Sequence, residues 1–408
     1  MPSLVGSEMC IRDRSHIIPA IPCYGVLMPM NVRTFKEIRR TYGYDEVAIA
    51  PGAITINPEL ANLDFTIDGL TLSTPVLASA MDAIISPESA VEFDRQGALG
   101  VMNLEGVQTK YEDPEEVLAE IVSAPLDEVT KVFQRVYNAP IKENLIGERV
   151  QQIKKSGAKC AVSLTPANTK RLAPTAVDAG ADMVVVQSTV TTARHKSRSV
   201  EGLKFPQLLE AVNVPVVVGN CATYDVALEI METGIHGVLV GIGPGAACTT
   251  REVTGLGIPQ VTATLDCAAA REEYYRRSGR YVPIITDGGI RTGGDFCKSF
   301  AAGADAVMIG TPFAQTTESP GQGYNWGMAS PDPVLPRGTR VNPGIKGSIE
   351  QVLYGPSSKS DGTMNLVGAL RTCLGYVGAF NIREFHQKAE LIHAPSIKSE
   401  GKFLQNRG

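Results

Sequence analysis

Eight short apolar runs recur from residue 75 onward, at 75–80, 98–103, 159–164, 182–187, 214–220, 237–241, 281–287 and 304–310. Amphipathic stretches of helical length lie between them. The runs show little polar alternation, which is the pattern of parallel strands buried on both faces. Gly-Ala-Asp turns lead into two of them, at Ala179-Gly180-Ala181-Asp182 and Ala302-Gly303-Ala304-Asp305. Looser versions stand at Gly234-Ile235-His236-Gly237 and Gln96-Gly97-Ala98-Leu99. A glycine there fits the left-handed cap that ends a helix before the next strand. Eight such repeats predict an α/β fold, a closed (β/α)8 TIM barrel, with an open doubly wound sheet as the alternative.

Two stretches break the repeat. Residues 105–156 are polar and helical in pattern, with Asp113-Pro114-Glu115-Glu116 as a helix start. Residues 319–365 are rich in Gly, Pro and Ser; an insertion after the eighth strand lies beside the C-terminal face, where barrel sites form. The expected organisation is one barrel over 29–408 with loop insertions at that face. Residues 1–28 lack a helical period, and Pro2 to Arg14 resembles translated sequencing-adapter sequence. They are expected to be a disordered or non-native leader, with Met28 or Met30 as the natural start.

The formal charge of the 408-residue chain is −5, which argues against a nucleic-acid partner. No apolar run of membrane-spanning length occurs, so no membrane partner is expected. The eight cysteines form no CxxC pair, which disfavours a zinc site, and the chain reads as cytoplasmic.

Chemistry concentrates in loops that follow strands. The loop Gly241-Ile242-Gly243-Pro244-Gly245-Ala246-Ala247-Cys248-Thr249-Thr250 places a cysteine after a rigid, glycine-rich turn. A cysteine exposed there, near amide donors, can act as a thiolate, and the loop carbonyls can coordinate a monovalent cation. On these residues alone, a buried structural thiol is an equal reading. Asp287-Gly288-Gly289-Ile290 and Gly310-Thr311-Pro312 follow the last two strands. Glycines there present amides to a phosphate, and Asp287 suits a ribose diol; two ligand-free turns are the alternative. Ser79-Ala80-Met81-Asp82 ends the first strand, where Ser79 serves equally as a helix cap and Met81 as core.

The cysteine loop, continued through Arg251-Glu252-Val253-Thr254-Gly255-Leu256-Gly257-Ile258-Pro259-Gln260, resembles the signature of the IMP dehydrogenase/GMP reductase family. Ser79–Asp82, Asp287–Ile290, Gly310 and Leu374-Gly375-Tyr376-Val377-Gly378-Ala379 fall in the family's order, over about residues 42–380. The resemblance implies oxidation of IMP to XMP with NAD. Cys248 would be the nucleophile at C2 of the purine, and Thr250 would orient the water. It places Ser79, Gly289, Gly310 and Thr311 at the phosphate, with Gly288 in the same turn, Asp287 at the ribose, and Met81 and Met328 around the base. Gln187, Asn220, Gly241 and Gly243 fall on the cofactor side, and carbonyls of Gly243, Gly245 and Cys248 map to potassium ligands. The partner implied is a purine nucleoside monophosphate, in a homotetramer or larger assembly.

Several positions depart from the family pattern. The paired CBS modules after the second strand are missing. Gln187 replaces an aspartate on the fourth strand, Ala246 replaces a phosphate-contacting serine, and Leu239 stands at a basic position near the phosphate. Trp326 and Ala329 replace Arg and Gly in the base-binding segment. The long flap with its Arg-Tyr pair is cut to a few residues before Pro336-Arg337-Gly338. Arg337 or Arg340 would have to replace the flap arginine. This combination resembles a short, CBS-less branch of the family. NADPH-dependent GMP reductase is the rival enzyme, although Arg337 stands where that reaction needs a glutamate. A nucleotide-binding regulatory protein that kept the thiol is the third reading.

Overall fold

The computed structural model describes residues 36–196, 202–328 and 340–395, so the expected leader lies outside the described residues. Residues 41–408 form one compact unit. All eight apolar runs are strands: β1 (Val76–Ala78), β2 (Leu99–Asn103), β3 (Ala161–Leu164), β4 (Met183–Gln187), β5 (Val216–Cys221), β6 (Gly237–Val240), β7 (Ile284–Asp287) and β8 (Ala306–Ile309). Each pairs in parallel with its neighbour, and β8 returns to β1 with Val307 opposite Val76 and Ile309 opposite Ala78. The closed (β/α)8 barrel is therefore correct, and the open sheet is excluded. Outside the strands, helix-facing residues such as Phe93, Leu172, Ile230, Phe296 and Phe300 form the larger core.

Strand parity decides what the interior presents. Leu77, Val101, Val185, Leu239, Ile285 and Met308 belong to the apolar cluster inside the barrel. Alternate residues of a strand share a face. One step further along the same face come Ser79 after Leu77, Gln187 after Val185, Gly241 after Leu239, Asp287 after Ile285 and Gly310 after Met308. The interior thus changes from apolar to polar or side-chain-free at the C-terminal mouth, where the expected site residues emerge.

The opposite end is closed by a hairpin absent from the sequence-based expectation. Phe65–Ile67 pairs antiparallel with Leu70–Leu72 through Asp68 and Gly69, whose φ angles are +43° and +85°. Two left-handed residues make the tight turn that suits a hairpin's twist, and Asp-Gly is its ordinary sequence signal. Phe65, Ile67 and Leu72 complete the interior cluster.

The 105–156 insertion folds as expected into helices, Val107–Lys110, Pro114–Ser123, Val129–Asn138 and Glu143–Lys154. Asp113 caps the second, accepting from the Glu116 amide at 3.2 Å. Among the described residues, no helix is long and apolar enough to cross a membrane. Since Ile67 is 2% exposed, Ile67→Ala should remove packing from the barrel floor and cost about 2–4 kcal/mol in urea unfolding.

Candidate active site

The loop after β6 is built on Arg251. This residue lies in the short helix Thr250–Thr254. Its Nε donates to the Ile242 carbonyl at 3.2 Å and its Nη2 to the Ile258 carbonyl at 2.9 Å. A Cβ on Gly243 would stand 2.8 Å from the Arg251 Cγ, so glycine lets the loop wrap the arginine stem. At the end of the turn the Cys248 amide donates to the Gly245 carbonyl at 3.1 Å. The Cys248 thiol donates to the Thr250 hydroxyl at 3.2 Å.

Cys248, in the loop after β6, and Cys373, on the helix Leu366–Val377, differ from the other described thiols in being half-exposed. Cys160, Cys221, Cys267 and Cys297 are buried. Burial pushes the Cys160 thiol up to about 12. A neighbouring thiol and burial raise Cys267 and Cys297 well above their ordinary value. Those groups stay protonated and inaccessible, while Cys248 is reachable and has a hydroxyl partner.

The turn after β7 packs directly on the cysteine loop. A Cβ on Gly241, where φ is +148°, would run into the Asp287 carbonyl. One on Gly288 would lie 2.9 Å from the Pro244 Cγ, and one on Gly289 3.3 Å from the Pro244 Cβ. Both glycines have left-handed φ, +87° and +79°, which other residues rarely adopt. The thiol loop and the expected phosphate and ribose turn are therefore one packed unit.

Asp287 is the hub of a polar group spanning three strands. Its Oδ2 accepts from Asn220 Nδ2 at 2.8 Å and from Gln187 Nε2 at 3.1 Å. Gln187 Nε2 also reaches Asn220 Oδ1 at 3.1 Å. Burial raises the Asp287 carboxyl to about 6, and the Asn220 bond partly opposes that rise. Gln187 and Asn220, expected on the cofactor side, are thus bonded to Asp287, the carboxylate expected at the ribose. Thr191 donates to the Gly219 carbonyl at 2.7 Å and holds the end of β5.

Across the mouth, Ser79, Met81 and Gly310 meet. A Cβ on Gly310 would lie 3.5 Å from both the Ser79 Oγ and the Met81 Sδ. Ser79 does not cap the first barrel helix, Pro87–Arg95; Ser86 does. Thr311 accepts from Asn325 Nδ2 at 3.1 Å. Asn325 is 1% exposed, and its Oδ1 lacks a partner among the described residues. Sequence reasoning missed Asn325, although it immediately precedes Trp326 of the base-binding segment.

The segment around Met328 closes onto this mouth. Gly327 approaches the Ala247 carbonyl, where a Cβ would lie at 3.1 Å. The Asp82 amide meets the Met328 Sδ at 3.4 Å. Trp326, wholly buried, donates from Nε1 to the Tyr137 hydroxyl at 2.7 Å. Tyr137 donates to Asp82 Oδ2 at 2.9 Å. Neither Asp82 nor Tyr137 had been assigned a role from sequence.

Two substitutions read from the family pattern change meaning in three dimensions. Leu239 is fully buried in the apolar barrel interior, so it is not a lost phosphate contact. Ala246, in contrast, is exposed on the cysteine loop. Arg340 does not replace the flap arginine. Its guanidinium donates to the carbonyls of Ile121, Val122 and Ala124, capping the helix Pro114–Ser123, and lies 4.7 Å over the Tyr324 ring. Arg337 and Ala329 lie outside the described residues.

The described residues thus form a parallel (β/α)8 barrel whose β6 loop carries an accessible thiol packed on a carboxylate and glycine turn from β7. Residues 41–401 match the IMP dehydrogenase / GMP reductase domain. A relative named an uncharacterised oxidoreductase of Mycolicibacterium smegmatis is 38% identical over 361 residues, covering 86% of this chain and 96% of the relative. The inosine-5'-monophosphate dehydrogenase of Cryptosporidium parvum is 28% identical, covering 88% and 93%. A crystal structure of an IMP dehydrogenase/GMP reductase-like protein from Corynebacterium glutamicum superposes with a TM-score of 0.83 at 33% identity, covering 89% and 97%. The chain belongs to the IMP dehydrogenase/GMP reductase family, and it is an oxidoreductase by that kinship.

The raised Asp287 carboxyl makes a stability prediction. Its folded value of about 6 lies above the ordinary 3.8, so ionisation opposes folding above pH 6. That penalty disappears as pH falls through 6 toward 4. The stability of the wild type relative to Asp287→Asn should therefore rise by about 2 kcal/mol between pH 7 and pH 4.5. Urea unfolding at the two pH values measures it.

Proposed function

We propose that this protein oxidises IMP to XMP with NAD through a covalent intermediate on Cys248. The observation that carries the reading is the packing of the half-exposed thiol loop on the Asp287–Gly289 turn through Pro244. A half-exposed thiol and a carboxylate on one barrel mouth support a nucleophile acting beside a bound diol.

The Cys248 sulfur bonds to C2 of the hypoxanthine ring as the thiol proton leaves to solvent or a base. Gln187, Asn220, Gly241 and Gly243 would hold NAD, which would supply the acceptor for the hydride displaced from C2. Water then adds at C2, the S–C bond breaks, and XMP leaves as the thiol is restored. Thr250, bonded to the thiol at 3.2 Å, is placed to orient that water. Ser79, Gly289, Gly310 and Thr311 hold the phosphate, Asp287 the ribose hydroxyls, and Met81 and Met328 the purine faces. Potassium fits the donor set of main-chain carbonyls on Gly243, Gly245 and Cys248. The Gly245 carbonyl has one bond, from the Cys248 amide, and a carbonyl has two lone pairs. Its ion would stiffen the loop that carries the thiol. A cytoplasmic homotetramer or larger assembly belongs to the same reading.

Arg340 is committed to a helix end, which favours a second reading: a purine-nucleotide-binding regulatory protein with weakened hydrolysis of the thioimidate. Following nicotinamide absorbance with potassium present separates the readings. A rise with IMP and NAD supports the dehydrogenase. A fall with GMP and NADPH supports the reductase, and saturable IMP binding without either supports the regulatory role. Cys248→Ser is expected to lower turnover at least about 100-fold while retaining IMP binding. Full turnover by that variant would exclude the covalent route.

A further inference from the structure

The insertion between β2 and β3 reaches the purine end of the proposed site through a single directional chain. Phe133 and Tyr137 stand four residues apart on the helix Val129–Asn138, hence on one face. Phe133 packs against Trp326, with ring centroids 6.0 Å apart. The indole N–H is a donor only, so the Tyr137 oxygen must accept from it. The tyrosine's one proton then goes to Asp82 Oδ2. Asp82 Oδ2 also accepts from the Val107 amide at 2.8 Å, at the start of the insertion. Tyr137, Asp82 and Trp326 are at most 9% exposed, so little water competes for these bonds.

The chain ends on the two methionines. Met81 precedes Asp82, and Met328 follows Trp326 by two residues while its sulfur meets the Asp82 amide. The Tyr137 hydroxyl also lies 3.9 Å from the Met328 Sδ. A methionine has three rotatable bonds and no strong polar anchor, so its place is set by what surrounds it. Simple core filling at Tyr137 would need only a ring. The hydroxyl is partnered on both sides.

We propose that Tyr137 is a positioning residue for the purine: its hydroxyl ties Trp326 to Asp82 and thereby fixes Met81 and Met328 where the base binds. This inference rests on the reading of the site as a purine nucleotide site.

Trp326 is the chain's single tryptophan, so its emission reports directly on this contact. In the full chain, Tyr137→Phe should shift the emission of the ligand-free protein and raise its quenching by acrylamide. The Kd for IMP, titrated by calorimetry, and the KM for IMP should each rise about tenfold, because the bonds of the hydroxyl to both Trp326 and Asp82 are lost. The kcat should change less than about threefold, a split that general destabilisation would not produce. Trp326→Phe removes the donor from the other side and should weaken IMP in the same way; it carries the test if Tyr137→Phe does not fold. Unchanged IMP affinity in a folded variant overturns the proposal, even where the wild type forms NADH. Wild-type protein that binds IMP but forms no NADH removes the dehydrogenase reading and leaves the affinity comparison standing. Wild-type protein that does not bind IMP overturns both.

Discussion

The site depends on how closely the backbone after β6 approaches the turn after β7. Gly241 touches the Asp287 carbonyl with no room for a side chain, and Pro244 sits on Gly288 and Gly289. These contacts are short because three of the residues lack a Cβ. They join a thiol loop and a carboxylate turn that would otherwise be two independent, mobile connections. Arg251 completes the arrangement from below by occupying two loop carbonyls. The accessible thiol therefore rests on a packed base of backbone contacts.

Closing the barrel has an electrostatic consequence. The strand face that is apolar in the middle emerges at the mouth with Gln187 and Asp287. Asp82 follows β1 nearby in sequence and is 1% exposed. Burial raises both Asp82 and Asp287 to about 6. Neither carboxylate is left alone. Asn220 and Gln187 donate to Asp287, while Val107 and Tyr137 donate to Asp82. Such pairs offset desolvation without a buried cation in direct contact. Gln187, which interrupts the family's pattern on β4, has a local use here as one of those donors.

The insertion between β2 and β3 and the described residues after β8 pack on each other. Arg340 ends the helix Pro114–Ser123 instead of entering the chemistry, and Trp326 packs on Phe133 and Tyr137 of the next helix. Each contact joins the insertion to the residues after β8. The helices between β2 and β3 act as a fixed wall for the post-β8 segment.

Local pattern was enough for the barrel, because buried parallel strands are continuous apolar runs and glycine turns punctuate them. It also put Asp287 and Gly310 at strand ends, but it left Cys248 open between an accessible and a buried thiol until the structure showed it half-exposed. The hairpin over 65–72 carried its Asp68-Gly69 signal, but its strands are only three residues each and show no period. The Asp82–Tyr137–Trp326 chain had no such signal: its links span 55 and 189 residues, and spacing along a chain says nothing about contacts at that separation. The same holds for Arg340, whose charge looked catalytic beside a missing flap until packing placed it on a helix end. Residue type and periodicity specified the scaffold; the directions of long polar side chains were decided by which distant groups folding brought within hydrogen-bond reach.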